Sequence, residues 1–367
     1  MFDTDVFVLG GGPAGLAAAI AACAKGLNVT LAEAEKPPID KACGEGLMPD
    51  SLAAAAALGV VVEPEHGCRF RGIRFQGEFN SITSEFPDGC GIGVRRPMLQ
   101  GLLIERAEAI GVRLLWGARV RSVDRHTIDL GSVKVNTRWI VGADGTQSRL
   151  RRWTGLNHLV RNSERFSYRR HYRVAPWSDY MEIHWSHGCQ FYVTPVGQTE
   201  VCLVLMSRDP QQRISQALAA FPPLQAHLLG AGPTTPERGA IAATRKLSRV
   251  TTGNVALVGD ASGTVDPITG EGLCLAFKQA TLLADSLAEG DLAAYEKAHR
   301  NMLRRARFMS DFMLLMDRST ILQRRTLKSF ERSPRLFSNL LAMHVGQLGP
   351  AGFLKTAAEL GWQVATA

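Results

Sequence analysis

The feature that most restricts this chain lies at its start. Asp5-Val-Phe-Val-Leu9 reads as a short buried strand, Gly10-x-Gly12-x-x-Gly15 follows without a gap, and Leu16 to Lys25 is alanine-rich and helical. Gly26 closes that helix, and Val29 to Glu33 reads as a second strand. Strand, glycine turn, helix and parallel strand within about 30 residues make a βαβ unit. Each glycine has a physical reason. Gly10 allows the tight turn, Gly12 lets a pyrophosphate approach the backbone, and Gly15 lets helix and strand pack closely. The opening N–H groups of the helix, Ala14 among them, favour phosphate charge. Glu33 ends the second strand 18 residues beyond Gly15, with Ala34 beside it, and can accept both hydroxyls of a ribose. An acid there disfavours a 2′-phosphate. A dinucleotide site is expected, suited to FAD or NAD rather than NADP.

Composition narrows the rest. At 367 residues, with 46% hydrophobic and 21% charged, the chain is an ordinary globular protein of about two domains. It is not a disordered chain, a collagen or a small disulfide scaffold. The longest uncharged apolar run, Leu52 to Val62, is 11 residues, short of the ~18 a membrane span needs. Asp3 and Asp5 stand where a secretory signal has basic residues. Seven cysteines, with no CxxC pair, argue against a disulfide framework or structural zinc. A reducing, cytoplasmic location is expected. Forty-two basic against 34 acidic side chains leave a net charge of +8. Residues 301 to 335 hold nine basic and three acidic groups, so that segment carries +6 of it. It is a solvated helix face or a contact for an acidic protein or the inner face of a membrane; nucleic acid is not expected.

Further along, Pro97 to Ile110 has helical spacing, and Val112 to Trp116 and Arg138 to Val141 read as strands. Residues 166 to 207 alternate and turn like an antiparallel meander, including a His187-Gly188 turn. Asn254 to Val258 is a buried strand, Gly270 to Leu287 a helix, and the chain is helical from Leu292 to about Val345. The expected class is α/β: a Rossmann-like cofactor domain, an inserted antiparallel substrate domain, and a helical C-terminus. The expected division is 1–75, 95–160 and 245–300 for the first, 76–94 and 161–244 for the second, and 301–367 for the third.

Two later segments decide between the cofactors. Asp144-Gly145-Thr-Gln-Ser148-Arg-Leu-Arg151 follows one strand, and Gly259-Asp260-Ala-Ser-Gly263 follows another. Asp266-Pro267-Ile-Thr-Gly270-Glu-Gly272 then opens a helix. With the first glycine turn, these resemble, in order, the motifs of the flavoprotein superfamily of aromatic hydroxylases, geranylgeranyl reductases and flavin-dependent halogenases. The resemblance implies FAD, with NADH or NADPH as transient reductant. It implies that Asp260 binds the ribityl chain, that Gly272 and Leu273 bring backbone N–H groups to the flavin edge, and that Gly270 is also part of the cofactor site. It implies that Pro267 walls the flavin, that Arg96 reaches the phosphates or ribose, that Val120 holds adenine by its backbone, and that Asp144 and Gly145 touch FAD.

The departures matter. Gly263 stands where hydroxylases carry histidine, and Cys274 where they often carry asparagine. Lys41-x-Cys43-Gly44-Glu45-Gly46 resembles the Cys-Gly loop of the geranylgeranyl reductases, but their aromatic YxWxFP strand is Gln190-Phe-Tyr192-Val-Thr194-Pro here. No WxWxIP segment of the halogenases is present. Alternation places Gln190, Tyr192 and Thr194 on one face of a strand. In the strand before it, Tyr168, Arg170 and Tyr172 lie opposite Arg169, His171 and Arg173. Tyr192 is the candidate to orient or deprotonate a substrate, and Cys43 and Pro267 complete the catalytic candidates. His184 and His187 have no acidic ligand set, so no metal is expected. The favoured function is an FAD-dependent monooxygenase acting on an apolar or aromatic substrate, free or tethered to a carrier or protein. The alternatives are a reductase of prenyl or polyene double bonds and, behind both, a flavoprotein scaffold. Met302, Met309, Met313 and Met316 form core packing, a cap, or a greasy entrance for an alkyl chain.

Overall fold

The computed structural model describes residues 2–77, 81–186 and 188–366. The expected turn at His187 falls outside them. Thr4–Leu9 is the central strand of a parallel sheet whose order runs 255–257, 134–142, 4–9, 29–33, 113–116. Val6, Phe7, Val8 and Leu31 are fully buried because helices cover the sheet, as a parallel sheet requires. Each such side chain contributes about 1.5–3 kcal/mol. Helix Pro13–Ala24 packs against helix Gly272–Glu289, which lies more than 240 residues later. This contact brings the first and last glycine motifs together.

A second sheet of seven strands runs 238–247, 159–173, 200–207, 189–197, 181–186, 72–76, 81–85. The meander is where the alternation predicts it, although its first strand begins earlier, at Leu159. The pair 72–76 with 181–186 is parallel and the other pairs are antiparallel. Strict alternation gives the sheet two apolar faces. Phe191, Val193, Leu203 and Leu205 meet the short helices around Ile214 and Leu224. Tyr192, Cys202, Val204 and Met206 meet Phe330, Phe337 and Leu340 of the C-terminal helices.

Those helices are Leu292–Arg318, Thr320–Arg332, Pro334–His344 and Pro350–Thr366. The last extends beyond the expected end near Val345. Asp291 caps the first through Ala293 and Ala294, and Ser319 caps the second through Leu322. No helix among the described residues is long and apolar enough to cross a membrane.

Candidate cofactor and active site

The groove is built from backbone first. A Cβ on Gly15 would lie 1.8 Å from the Gly10 carbonyl oxygen, so strand end and helix start meet only because position 15 lacks one. A Cβ on Gly12 meets nothing nearer than the Arg96 guanidinium at 3.8 Å. Gly12 is the N-cap of helix Pro13–Ala24 and supplies no side-chain cap, so the helix mouth, with Ala14, offers bare N–H groups beneath that guanidinium. Arg96 is half-buried and its Nε has no partner. The Glu33 carboxylate accepts from Gly11 N–H at 2.8 Å and Glu35 N–H at 3.0 Å. Each oxygen keeps a further lone pair free to accept, and Ala34 beside it is exposed. Val120 is buried, yet among the described residues its backbone N–H and C=O have no partner.

Two loops form the far wall. Asp144 accepts from the N–H groups of Arg149 and Leu150 at 2.7 and 3.1 Å through one oxygen, while its other oxygen is buried without a partner. Gly145 takes φ 78° beside it. Arg151 explains why the motif ends in arginine: its guanidinium donates to Thr146 O at 2.8 Å and Ala261 O at 3.1 Å, tying the two loops together. Thr146 donates to Asp260 at 3.3 Å. Desolvation raises the Asp260 carboxyl, and the positive charges of Arg96, Lys41 and Arg245 pull it back. Pro267 is exposed in a single turn, Gly270 follows at φ 71°, and Gly272 and Leu273 open a helix without a side-chain cap. These unclaimed donors, the partnerless Asp144 oxygen and the open approach at Gly12 fit FAD.

The turn under Asp260 rests on a buried neutral imidazole. His299 meets Ser262 Oγ at 2.9 Å, and Gln279 accepts from Gly259 N–H at 2.6 Å. Burial, with Arg307 and Arg300 nearby, lowers His299 from the usual 6.5 to about 3. As pH falls below 6.5 the unfolded chain takes up this proton and the folded chain does not, so stability is lost on acidification. His299→Gln should therefore flatten the decline in unfolding free energy between about pH 7 and pH 5 by about 2 kcal/mol. Denaturant titrations at the two pH values read it, and equal slopes for both proteins would contradict it.

The substrate side differs from expectation in its polar groups. Tyr192 shares a face with Gln190 and Thr194, but its hydroxyl donates to Ile268 O at 2.9 Å and burial pushes it above the usual range. It holds the loop that carries Pro267. On the strand 159–173 the inward residues are Arg165, Arg169 and His171; Tyr168 and Tyr172 pack outward. Arg165 pairs with Asp266 at 3.3 Å and donates to Gln190 at 3.2 Å. His184 bonds Glu182 at 2.9 Å.

The loop around Cys43 is pinned by the second sheet. Cys202 Sγ donates to Cys43 O at 3.7 Å, Thr194 Oγ1 to Gly44 O at 2.8 Å, and His171 Nε2 to Glu45 at 2.6 Å. Glu45 also accepts from Arg96 N–H at 3.0 Å and sits in the left-handed region at φ 60°. Cys43 itself is half-buried, its sulfur facing Glu45 N–H at 3.4 Å. Glu45, His171 and Cys202 converge closely enough to be considered as metal ligands. The buried Arg169 guanidinium, 2.9 Å from His171 Nδ1 and paired with Asp40, already supplies the positive charge there. Sequence reasoning placed Arg169 and His171 together but not inward, and it gave Glu45 no role. The signals were the period-2 pattern and the Cys-Gly-Glu-Gly loop.

The model of the FAD binding domain family matches residues 3–305. A menaquinone reductase of Mycobacterium tuberculosis is 28% identical over 320 residues, covering 79% of this chain and 78% of that protein. A digeranylgeranylglycerophospholipid reductase of Methanothermobacter thermautotrophicus is 26% identical over 325 residues, covering 80% of each. Among solved structures, a flavoprotein/dehydrogenase of Cytophaga hutchinsonii superposes with a TM-score of 0.86 at 18% identity, covering 99% of this chain and 98% of that one. The flavin-dependent brominase Bmp2 superposes with a TM-score of 0.79 at 18% identity, covering 98% and 99%. These two likenesses show the fold alone.

Proposed function

The chain belongs to the FAD binding domain family of FAD-dependent oxidoreductases, and from that premise we propose that it is a reductase of carbon–carbon double bonds in an apolar, prenyl-bearing substrate, with NADH or NADPH as electron donor. The balance is one nicotinamide hydride and one proton added across one double bond. The observation that carries this reading is the Cys43–Glu45 loop, held by three contacts from the second sheet and joined through Glu45 to the backbone of Arg96, whose guanidinium lies over the glycine turn. The reductase relatives support it. Tyr192 weighs against the hydroxylase favoured on sequence, because its hydroxyl is committed to Ile268 and held protonated.

The chemistry FAD supplies when bound is two-electron hydride transfer. The protein's share is placement. Gly12, Ala14 and Arg96 would hold the pyrophosphate, Glu33 the ribose, Val120 the adenine edge and Asp260 the ribityl chain. The uncapped helix start at Gly272 and Leu273 would stabilise negative charge at the flavin edge. Pro267 would wall the ring, its loop fixed by Tyr192 and by the Asp266–Arg165 pair. Cys43 would shape the space over the ring.

Cys43→Ser tests the reading. With FAD still bound, the serine should change the rate or the product pattern, in air and without it, because it alters the wall beside the substrate. For an oxygen-transfer enzyme the change should cost only packing, about 1 kcal/mol of stability. Product per NAD(P)H oxidised separates the two, and an oxygen-dependent product untouched by the serine would remove the reductase reading.

A further inference from the structure

The corner between helices Leu292–Arg318 and Thr320–Arg332 joins an apolar surface to the edge of the site. Leu315 is 55% exposed and Ile321 67% exposed on either side of Ser319. Arg318 shares the exposed face of Leu315. Arg325, Lys328 and Arg332 continue the exposed face of Ile321 at helical spacing. None of these four cations has an ion-pair partner among the described residues. Inward from the corner is a cavity of about 200 Å³, lined among others by Leu314, Asp317, Arg318, Arg165 and Asp266. Asp266 is the residue before Pro267 and caps its turn. One short stretch of helix thus carries exposed apolar side chains, unneutralised cations and one wall of a cavity that ends at the Pro267 loop.

We infer that this corner docks on an anionic lipid surface, with Leu315 and Ile321 entering the headgroup region and the cations of both helices facing the lipid phosphates. The charges select the surface. Each Lys or Arg held near an anionic leaflet strengthens binding about fivefold, an effect that fades within a Debye length. Two exposed apolar side chains set beside a row of cations on one short corner are the arrangement of an interfacial helix, whose apolar residues enter the headgroup layer while its basic residues stay at the charged surface. No helix among the described residues is long and apolar enough to cross a membrane, and the corner offers contact at the lipid surface.

Flotation of the FAD-loaded protein with vesicles tests it without any substrate, so failure here would overturn docking and leave the reductase reading to its own experiment. Vesicles of phosphatidylcholine with about 30% phosphatidylglycerol are compared with pure phosphatidylcholine at about 0.1 M salt. Binding is expected only to the anionic vesicles. Replacing Arg325, Lys328 and Arg332 by glutamine should weaken it about a hundredfold. Leu315→Ser with Ile321→Ser should weaken it about tenfold without changing its salt dependence. The flavin spectrum and melting temperature of each variant report that it has folded. No binding to anionic vesicles, equal binding to both compositions, or a glutamine variant that binds like the parent would overturn the inference.

Discussion

A Gly12→Val variant is expected to fold and to purify without flavin. Gly12 has φ −75° and ψ 176°, extended backbone open to valine, and its added Cβ finds only Arg96 at 3.8 Å. The change therefore costs about 1 kcal/mol, the difference between a tolerated and a poor N-cap. The side chain would fill the approach to the helix mouth, where the pyrophosphate must come within hydrogen-bond reach of the backbone. Gly15→Val is the contrast: its Cβ would lie 1.8 Å from a backbone oxygen, so strand and helix would have to part and the fold would suffer. Circular dichroism and bound FAD per chain distinguish the two. Full FAD occupancy in a folded Gly12→Val protein would refute the placement of the phosphates.

His171→Ala should be the most damaging change away from the glycine turn. An arginine can only donate, so the 2.9 Å contact with Arg169 makes His171 Nδ1 an acceptor. Nε2 then carries the proton and donates to Glu45 at 2.6 Å. Removing it leaves a buried carboxylate with the Arg96 N–H and an Arg95 guanidinium at 3.9 Å, at a cost of roughly 3 kcal/mol. Glu45 also carries backbone strain of about 1–3 kcal/mol at φ 60°, which these contacts offset. The loop should loosen, and Cys43 should react faster with a thiol reagent. His171→Gln keeps a donor toward Glu45 and should retain most of the stability. Glu45→Gln sets donor against donor, and adding His171→Gln should restore the pair. An alanine variant with unchanged melting and unchanged Cys43 reactivity would show that the pair does not hold the loop.

These two sites differ in how readable they are from sequence. The glycine turn is legible because each close approach excludes a side chain at one position, a demand that local spacing records. Strand, turn, helix and Glu33 all fall within one unit, as expected. The loops at Asp144 and Asp260 are legible as motifs, although the role of Arg151 as their tie emerges only in three dimensions. The Glu45 pair is not legible in this way. Its partners are 126 residues apart, one in a loop and the other on a strand of the second sheet, and nothing in a Cys-Gly-Glu-Gly run says that the glutamate turns inward. Alternation along 165–171 separates tyrosines from Arg169 and His171 but does not say which face meets the cofactor sheet. Helix 350–366 follows a glycine-containing break that hides its continuation. Strand 72–76 pairs in parallel with a strand more than 100 residues later, a pairing that no local pattern encodes.

The mass of the product tests the central claim most directly. The FAD-loaded protein is given NAD(P)H and a prenyl-bearing quinone or lipid under isotopically labelled O₂, and in parallel without oxygen. Reduction predicts a product heavier than the substrate by two hydrogens, free of label, and formed in both atmospheres. A product that carries one labelled oxygen atom and fails to form without O₂ would contradict the account and return the protein to the hydroxylases.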